Sequence, residues 1–452
     1  MRVRKDSLPP GARVTHFHGY APAVVLCLLL LTLAAGCGDY VPNHDIIVLK
    51  LGPDGSQSWS RTPDSGFDDT AGDILEARDG TLVVGAANGS RRYGGPVPEL
   101  VLLGADGSVL AEKPCPPLAG EITGLARSPD GTLWATTYDG NVGRFSPGGD
   151  LLGMTSTGLT GVWSLAAVPD GGVLAAGQEQ TMYPAGSVPV YDANGTVSTR
   201  APIPAESVVT PGCRVTILNA SDRRISVTEC VAPSGSAFQA AATLMDRNGS
   251  IVWIRGYGAS GLESFWSAAA APGGSGYFLS AFSHAAPPGG EPVNHRYAVF
   301  VHGDGRAGWI TDLGGANLSF PSPWAIRDGQ VRLIVPEEHP GPDNNIMIRP
   351  EAVELDIGGN VTGRTAIPSS RIITPTADGG YFSAGFPDPA YGLTDMTSTS
   401  GGKKELRIMK FSADGTQEWH RSVGDGTPDT VVKVIQTSDG GYVLLLLRQN
   451  PV

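Results

Sequence analysis

The side chains that could do chemistry in this 452-residue chain fall into two loose groups. Glu337-Glu-His339, followed by Asp343 and Asn345, gathers oxygen and nitrogen donors in a stretch rich in proline and glycine; Asp64, Asp68, Asp69 and Asp73 form a second, acidic group. Closely spaced carboxylates can hold a hard cation, but a calcium loop needs an Asp-x-Asp-x-Asp-Gly series with a closing Glu, and neither stretch has one. A solvated loop is the expectation for the first; calcium at the aspartates stays open. No Gly-x-Ser-x-Gly elbow occurs, and His44, His284, His295, His302, His339 and His420 belong to no catalytic signature. No Cys/His spacing fits zinc or haem, so no cofactor is expected.

Cysteine usage fits an oxidising compartment. Cys213 and Cys230 flank Arg214-Val-Thr-Ile-Leu and Ile225-Ser-Val-Thr, two strand-like runs joined by Asn219-Ala-Ser-Asp222. Their similar distances from that turn place them across a hairpin and suggest a disulfide, two unpaired thiols being the alternative. Cys115, in Pro114-Cys-Pro-Pro117, reads as a buried, unreactive thiol.

The elements that must position these residues are short strands. The chain has 62 Gly and 36 Pro and is 17% charged, a composition that punctuates turns and starves helices. Lys50–Gly80 lies ungapped over Lys410–Gly440 with 11 identities in 31 positions, including Asp-Gly, Gln and Trp at matching places. The same turn glycine recurs as Gly55, Gly107, Gly149, Gly195, Gly249, Gly305, Gly359 and Gly415, 42 to 56 residues apart. Such spacing suits propeller blades and is too long for most helical solenoids. Each unit reads as two hairpins, an apolar strand before an Asp-Gly or Asn-Gly turn being the strongest local hairpin signal. Trp59, Trp253, Trp309 and Trp419 each stand four places after a turn glycine and are expected to be structural wedges between units. Trp134, Trp163, Trp266 and Trp324 share no single repeat position by sequence and are not expected to form a ligand platform.

An apolar strand, Asp-Gly, Trp, then Ser438-Asp-Gly-Gly-Tyr442 and another apolar strand resembles the repeat of bacterial secreted β-propellers of the quinoprotein-like (WD40/PQQ-like) type. The resemblance implies an all-β fold: a single propeller over 45–450, of eight four-stranded blades, or seven if one unit is an insertion. Similar repeat positions at the two ends imply that the last blade packs beside the first. Quinoprotein dehydrogenases of this look carry a calcium ligand set and often an adjacent cysteine pair; the chain has no such pair.

Arg2, Arg4, Lys5 and Arg13 precede the apolar run 23–35, which ends in Leu33-Ala-Ala-Gly-Cys37. This resembles a bacterial lipoprotein signal peptide with its lipobox, although Ala34 stands where the family usually has Leu, Val or Ile. Residues 1–36 are then the signal peptide, Cys37 the acylated anchor and 37–44 a linker, with ordinary secretion as the alternative. Gly38 rather than Asp after the cysteine implies sorting to the outer membrane.

The formal charge is −12 over the whole chain. It becomes −15 once residues 1–36, with four basic residues and one acidic, are removed, which disfavours nucleic acid and anionic lipid as partners. The expectation is a monomeric, non-enzymatic binding or scaffold module for an envelope protein or glycan, presenting the longer connections 283–295, 336–346 and 385–404. The alternatives are a propeller enzyme (quinone-dependent dehydrogenase, or polysaccharide hydrolase or lyase) and a surface adhesin or small-ligand sensor. The lipobox reading predicts that Cys37→Ser abolishes incorporation of labelled palmitate and frees the chain from the membrane fraction; label persisting in the variant excludes it.

Overall fold

The turn glycines set the frame. After Leu51, Gly55 adopts φ +77°, its N–H bonds the Gly52 carbonyl at 3.0 Å, and the Asp54 carboxylate accepts the Ser56 N–H at 3.0 Å. Gly107, Gly149, Gly305, Gly359 and Gly415 repeat the positive φ, a conformation that penalises any residue with a Cβ.

The computed structural model describes residues 44–449 except 64–67, 90–96, 158, 168–170, 180–186, 192–196, 203–213, 221–222, 232–237, 247–250, 258–263, 286–292, 316–323, 328–329, 341–345, 367–371, 386–405, 414 and 424–428. Gly195 and Gly249 therefore lie outside the described residues, as does the leader with Cys37. Among the described residues, the strands form eight four-stranded antiparallel sheets. Blade 1 comprises Asp69–Glu76, Leu82–Asn88, Val97–Leu103 and Val109–Pro114; blade 2, Ile122–Arg127, Leu133–Thr137, Asn141–Phe145 and Leu151–Ser156. Blade 3 comprises Leu159–Ala167, Val173–Glu179, Ser187–Tyr191 and Val197–Pro202; blade 4, Arg214–Ala220, Arg223–Val231, Phe238–Met245 and Ile251–Gly256. Blade 5 comprises Ser264–Ala270, Gly276–Ala285, Val293–His302 and Ala307–Gly315; blade 6, Trp324–Arg327, Gln330–Pro340, Ile346–Leu355 and Val361–Ala366. Blade 7 comprises Ile372–Pro375, Tyr381–Gly385, Leu406–Phe411 and Gln417–Val423.

Blade 8 is made from both ends of the ring. Asp429–Gln436 and Tyr442–Gln449 supply two strands, and His44–Leu51 and Gln57–Arg61 complete the sheet. His44–Leu51 pairs along its whole length with Tyr442–Gln449, from His44↔Gln449 to Leu51↔Tyr442. The expectation that a last blade packs beside a first is corrected here: the ends share one sheet. The physical reason is that the repeat legible in sequence is offset by half a blade, so each end carries two strands that need a partner pair. The fold is a β-propeller, with eight blades among the described residues.

First strands of neighbouring sheets lie against one another, so the strands of each blade, named a to d in the order given, run from the centre outward. Strand b is sandwiched on both faces and is accordingly a continuous apolar run. In Tyr442-Val-Leu-Leu-Leu-Leu447, Tyr442, Leu444 and Leu446 pack toward blade 7, while Val443 and Leu445 pack toward blade 1. Strand d is solvated and polar, as in Gln417-Glu-Trp-His-Arg421.

The repeat tryptophans sit between blades. Trp59 of blade 8 lies over Gly107 of blade 1, where an added Cβ would come within 2.6 Å of its ring, and its indole N–H bonds the Ala105 carbonyl at 2.9 Å. Trp253 does the same to Gly305 and the Gly303 carbonyl, Trp309 to Gly359 and the Ile357 carbonyl, and Trp419 to Gly55 and the Pro53 carbonyl. In each case the acceptor is two residues before the glycine, so one ring both fills the space a side chain would need and satisfies a turn carbonyl of the next blade.

Two buried lysines tie strands within a blade. Lys50 bonds Asp439 at 2.8 Å and also Thr437; Lys410 bonds Asp378 at 2.8 Å. Burial opposes ionisation of both aspartates, but the lysine, the neighbouring threonine and a glycine N–H outweigh it and carry each carboxyl down to about 2.

Strands Arg214–Ala220 and Arg223–Val231 pair from Arg214↔Glu229 to Ala220↔Arg223. Cys230 is in the second of these, and Cys213 lies outside the described residues. Cys115 is a buried free thiol whose S–H donates to the Lys113 carbonyl at 3.1 Å; burial, with the Glu99 charge, pushes it up to about 11.

The wedge geometry predicts graded losses at Trp253, which is 7% exposed. Trp253→Ala should cost about 3–5 kcal/mol, and Trp253→Phe, which removes only the N–H bond and part of the ring, distinctly less; both are read from denaturant unfolding. Equal losses would show that ring burial is not the main contribution.

Candidate interaction face and central channel

Because neighbouring strands are antiparallel, the a–b and c–d turns emerge on one face of the ring and the b–c and d–a connections on the other. The first face is built wholly from connections of two to five residues, such as 52–56, 221–222 and 437–441. The second carries 89–96, 203–213, 316–323 and 386–405. Function on a rigid scaffold concentrates on its variable connections, so this second face is the candidate interaction surface.

The three connections singled out by sequence all belong to it as b–c links of blades 5, 6 and 7, but two are shorter than expected. Ser283–Ala285 and Val293–His295 are strand, and so are Pro336–Pro340 and Ile346. Glu337, Glu338 and His339 are strand residues opposite Arg349, Ile348 and Met347, which corrects the reading of a solvated loop. Asp343, Asn345 and nearly all of 385–404 lie outside the described residues. Proline suggested a loop because it cannot donate to a ladder; here Pro336 stands opposite Pro350. A facing proline pair costs no ladder bond at a non-hydrogen-bonded site, which turns both missing N–H positions to the outer edges. In blade 6 strand a reaches only as far as Leu333, so beyond it the b–c ribbon runs on as two strands toward the candidate face.

Strand a of most blades carries a bulge at one common position. Register shifts bracket Gly72, Thr123, Trp266 and Val432 in blades 1, 2, 5 and 8, and both Gly161 and Trp163 in blade 3. Trp163 and Trp266 therefore do share a repeat position, on the innermost strands, which sequence spacing concealed. Trp134, by contrast, is 1% exposed and donates to Ser128 Oγ at 2.9 Å, a core residue of blade 2.

Beside the bulges, polar groups link the inner strands of successive blades. Asp73 accepts Lys433 from blade 8, its neighbour Ile74 N–H at 2.7 Å, and the Leu125 N–H of blade 2 at 2.7 Å. Thr123 Oγ1 donates to the Val162 carbonyl of blade 3 at 2.5 Å. The close approach needs Gly72, whose Cβ would stand 1.8 Å from the Ile122 carbonyl oxygen. Sequence placed Asp64, Asp68, Asp69 and Asp73 in one cluster; the structure separates them. Asp68 bonds His44 Nδ1 at 2.7 Å, Asp69 is 3% exposed, Asp73 serves the inner strands, and Asp64 lies outside the described residues. Among the described residues, no three His, Cys, Asp or Glu side chains are placed to hold a metal ion.

A carboxylate that sequence did not single out is the most perturbed acid here. Glu99, on strand c of blade 1, is raised to about 7 by burial, then by the charges of Glu112 and Asp69, with a bond to Asn88 opposing. All four residues lie on the sheet face that meets blade 8, the face of Val84, Ala86 and Val101.

No protein-family profile matches the chain, and no curated protein sequence does. Solved structures similar in fold include BamB from Moraxella catarrhalis, at 11% identity and TM-score 0.47 over 84% of this chain and 98% of that one. The Dos1 propeller matches at 12% identity and TM-score 0.48 over 84% and 92%. A quinohemoprotein alcohol dehydrogenase from Pseudomonas putida matches at 10% identity and TM-score 0.45 over 84% and 75%.

Glu99 gives a signed pH prediction. Its folded value lies above its ordinary 4.5, so between the two the folded state binds the extra proton. Stability is then lost as pH rises through about 7. Glu99→Gln should flatten the fall in unfolding midpoint between about pH 5 and 8; an unchanged slope would assign the dependence elsewhere.

Proposed function

We propose that the chain is a lipid-anchored envelope propeller that binds an envelope protein or glycan through its b–c and d–a face and catalyses no reaction. The observation that carries the reading is the inequality of the two faces: the connections on one are all of two to five residues, and the described ones are tight turns, while the other collects the long links and the extended ribbons of blades 5 and 6. A binding surface must vary without disturbing the blades, and only connections outside the turn-and-wedge pattern are free to do so.

The acidic charge argues against nucleic acid. Under this reading Cys37 holds the protein to the outer membrane, the ring works as a monomer, and Cys213 and Cys230 form a disulfide that staples the first two strands of blade 4.

The test is crosslinking in cells of a tagged chain retaining Cys37, with mass spectrometry of what is captured. The expected result is one reproducible envelope protein, lost when 386–405 is replaced by Asn-Gly and kept when the turn 146–150 is altered. Capture indifferent to both changes refutes the choice of face. A background-only result refutes a protein partner and directs screening to glycans and quinones.

A further inference from the structure

The wedge that joins blades 7 and 8, 8 and 1, 4 and 5, and 5 and 6 is replaced between blades 6 and 7. In blade 6 the strand d position of the tryptophan is Gly363, opposite Glu354, just as Trp59 and Trp419 stand opposite Lys50 and Lys410. The turn glycine of blade 7, Gly415, has no ring over it; its nearest neighbours are the nitrogens and Cζ of Arg332. Arg332, from strand b of blade 6, donates Nη1 to the Ala413 carbonyl and Nη2 to Glu354. Ala413 stands two before Gly415, so the guanidinium takes the carbonyl that an indole N–H takes at the wedged seams. It brings no apolar ring with it.

Among the described residues, this seam buries fewer apolar side chains than the seam between blades 7 and 8. Its described buried cluster is Ala352, Tyr381, Met409 and Phe411, with Ile373 against it, whereas the seam between blades 7 and 8 buries residues from Ile47 to Leu446 across three strands of blade 8 and two of blade 7. Arg332 is 6% exposed and Tyr381 2%, and Ser383 is fully buried. The Arg332 Nε, Tyr381 hydroxyl and Ser383 hydroxyl are buried with no hydrogen-bond partner in the protein. Each such group carries a desolvation cost that opening would relieve.

We propose that the seam between blades 6 and 7 is a built-in point of opening, a joint at which the ring parts before its four wedged seams. Arg332 and Glu354 are its latch. One hydrogen bond, from Arg332 Nη1 to the Ala413 carbonyl, crosses the seam; Glu354, on the neighbouring strand of the same blade, holds the guanidinium in place for it, and removing either partner leaves the other charge buried and unmatched.

Hydrogen exchange with mass spectrometry on the full-length chain in detergent tests this. Amides of Ile372–Pro375 and Tyr381–Gly385 should exchange about tenfold or more faster than those of Tyr442–Gln449 and Gly276–Ala285, the equivalent inner strands elsewhere. Gly363→Trp combined with Arg332→Met and Glu354→Leu, which restores a wedge and removes the charges, should slow blade 7 exchange toward that of the other blades. Arg332→Met alone should speed it, and if that variant fails to fold, the wild-type pattern and the triple variant still decide. Uniform exchange in the wild type, or a triple variant with blade 7 unchanged, would overturn the proposal.

Discussion

Everything in this fold depends on the ladder between His44–Leu51 and Tyr442–Gln449. A circle of blades has no natural end, and without that pairing blade 8 would be two half-sheets, each with an unpaired edge and an uncovered apolar face. Bringing together points some 400 residues apart costs only about 5 kcal/mol in loop entropy, because the penalty grows with the logarithm of the separation. The gain is large by comparison, since Ile46, Val48, Val443 and Leu445 bury against blade 1 and Ile47, Leu49, Leu444 and Leu446 against blade 7. Closure also explains why Trp419 matters as much as any mid-ring wedge: the turn it covers, at Gly55, is at the other end of the chain.

The turn-and-wedge pair was legible in sequence because both of its members are residue types with few substitutes. Only glycine suits a turn at φ near +80° with a ring pressed on its Cα, and tryptophan alone combines that ring with a donor at the right reach. The same reasoning fails where the seam solves its problem differently. Arg332 is on strand b, 83 residues before the glycine it serves, and no spacing rule links a strand b residue of one blade to a strand c turn of the next. Trp163 and Trp266 escaped for a related reason: their shared position is a bulge, and a bulge is a property of pairing, invisible until the partner strand is known.

Proline misled in blade 6 through the same blindness to pairing. Val335-Pro-Glu-Glu-His-Pro340 has the composition of a loop, and only its pairing with Ile346–Glu351, Pro336 opposite Pro350, shows that it is strand. The acidic residues were misgrouped because sequence distance was taken for spatial distance along a strand whose side chains alternate and then shift at a bulge. Asp68 and Asp69 point to different partners, and Asp73 to a third set. Glu99 was missed because nothing about a single Glu among apolar residues announces that Glu112 will stand on the next strand and Asp69 two strands away on the other side.

The division of labour between the two faces follows from these constraints. On the tight-turn face Gly55, Gly107, Gly305, Gly359 and Gly415 are each held twice, by their own φ and by the wedge or guanidinium of the preceding blade, so a change there disturbs two blades at once. A b–c connection answers only to the ends of two strands that are already paired. Room for change without disturbing the blades therefore lies on the face where the ribbons of blades 5 and 6 and the link between Gly385 and Leu406 emerge. The seam between blades 6 and 7, closed by Arg332 where the seams on either side have a tryptophan, reaches that face between the b–c connections of blades 6 and 7.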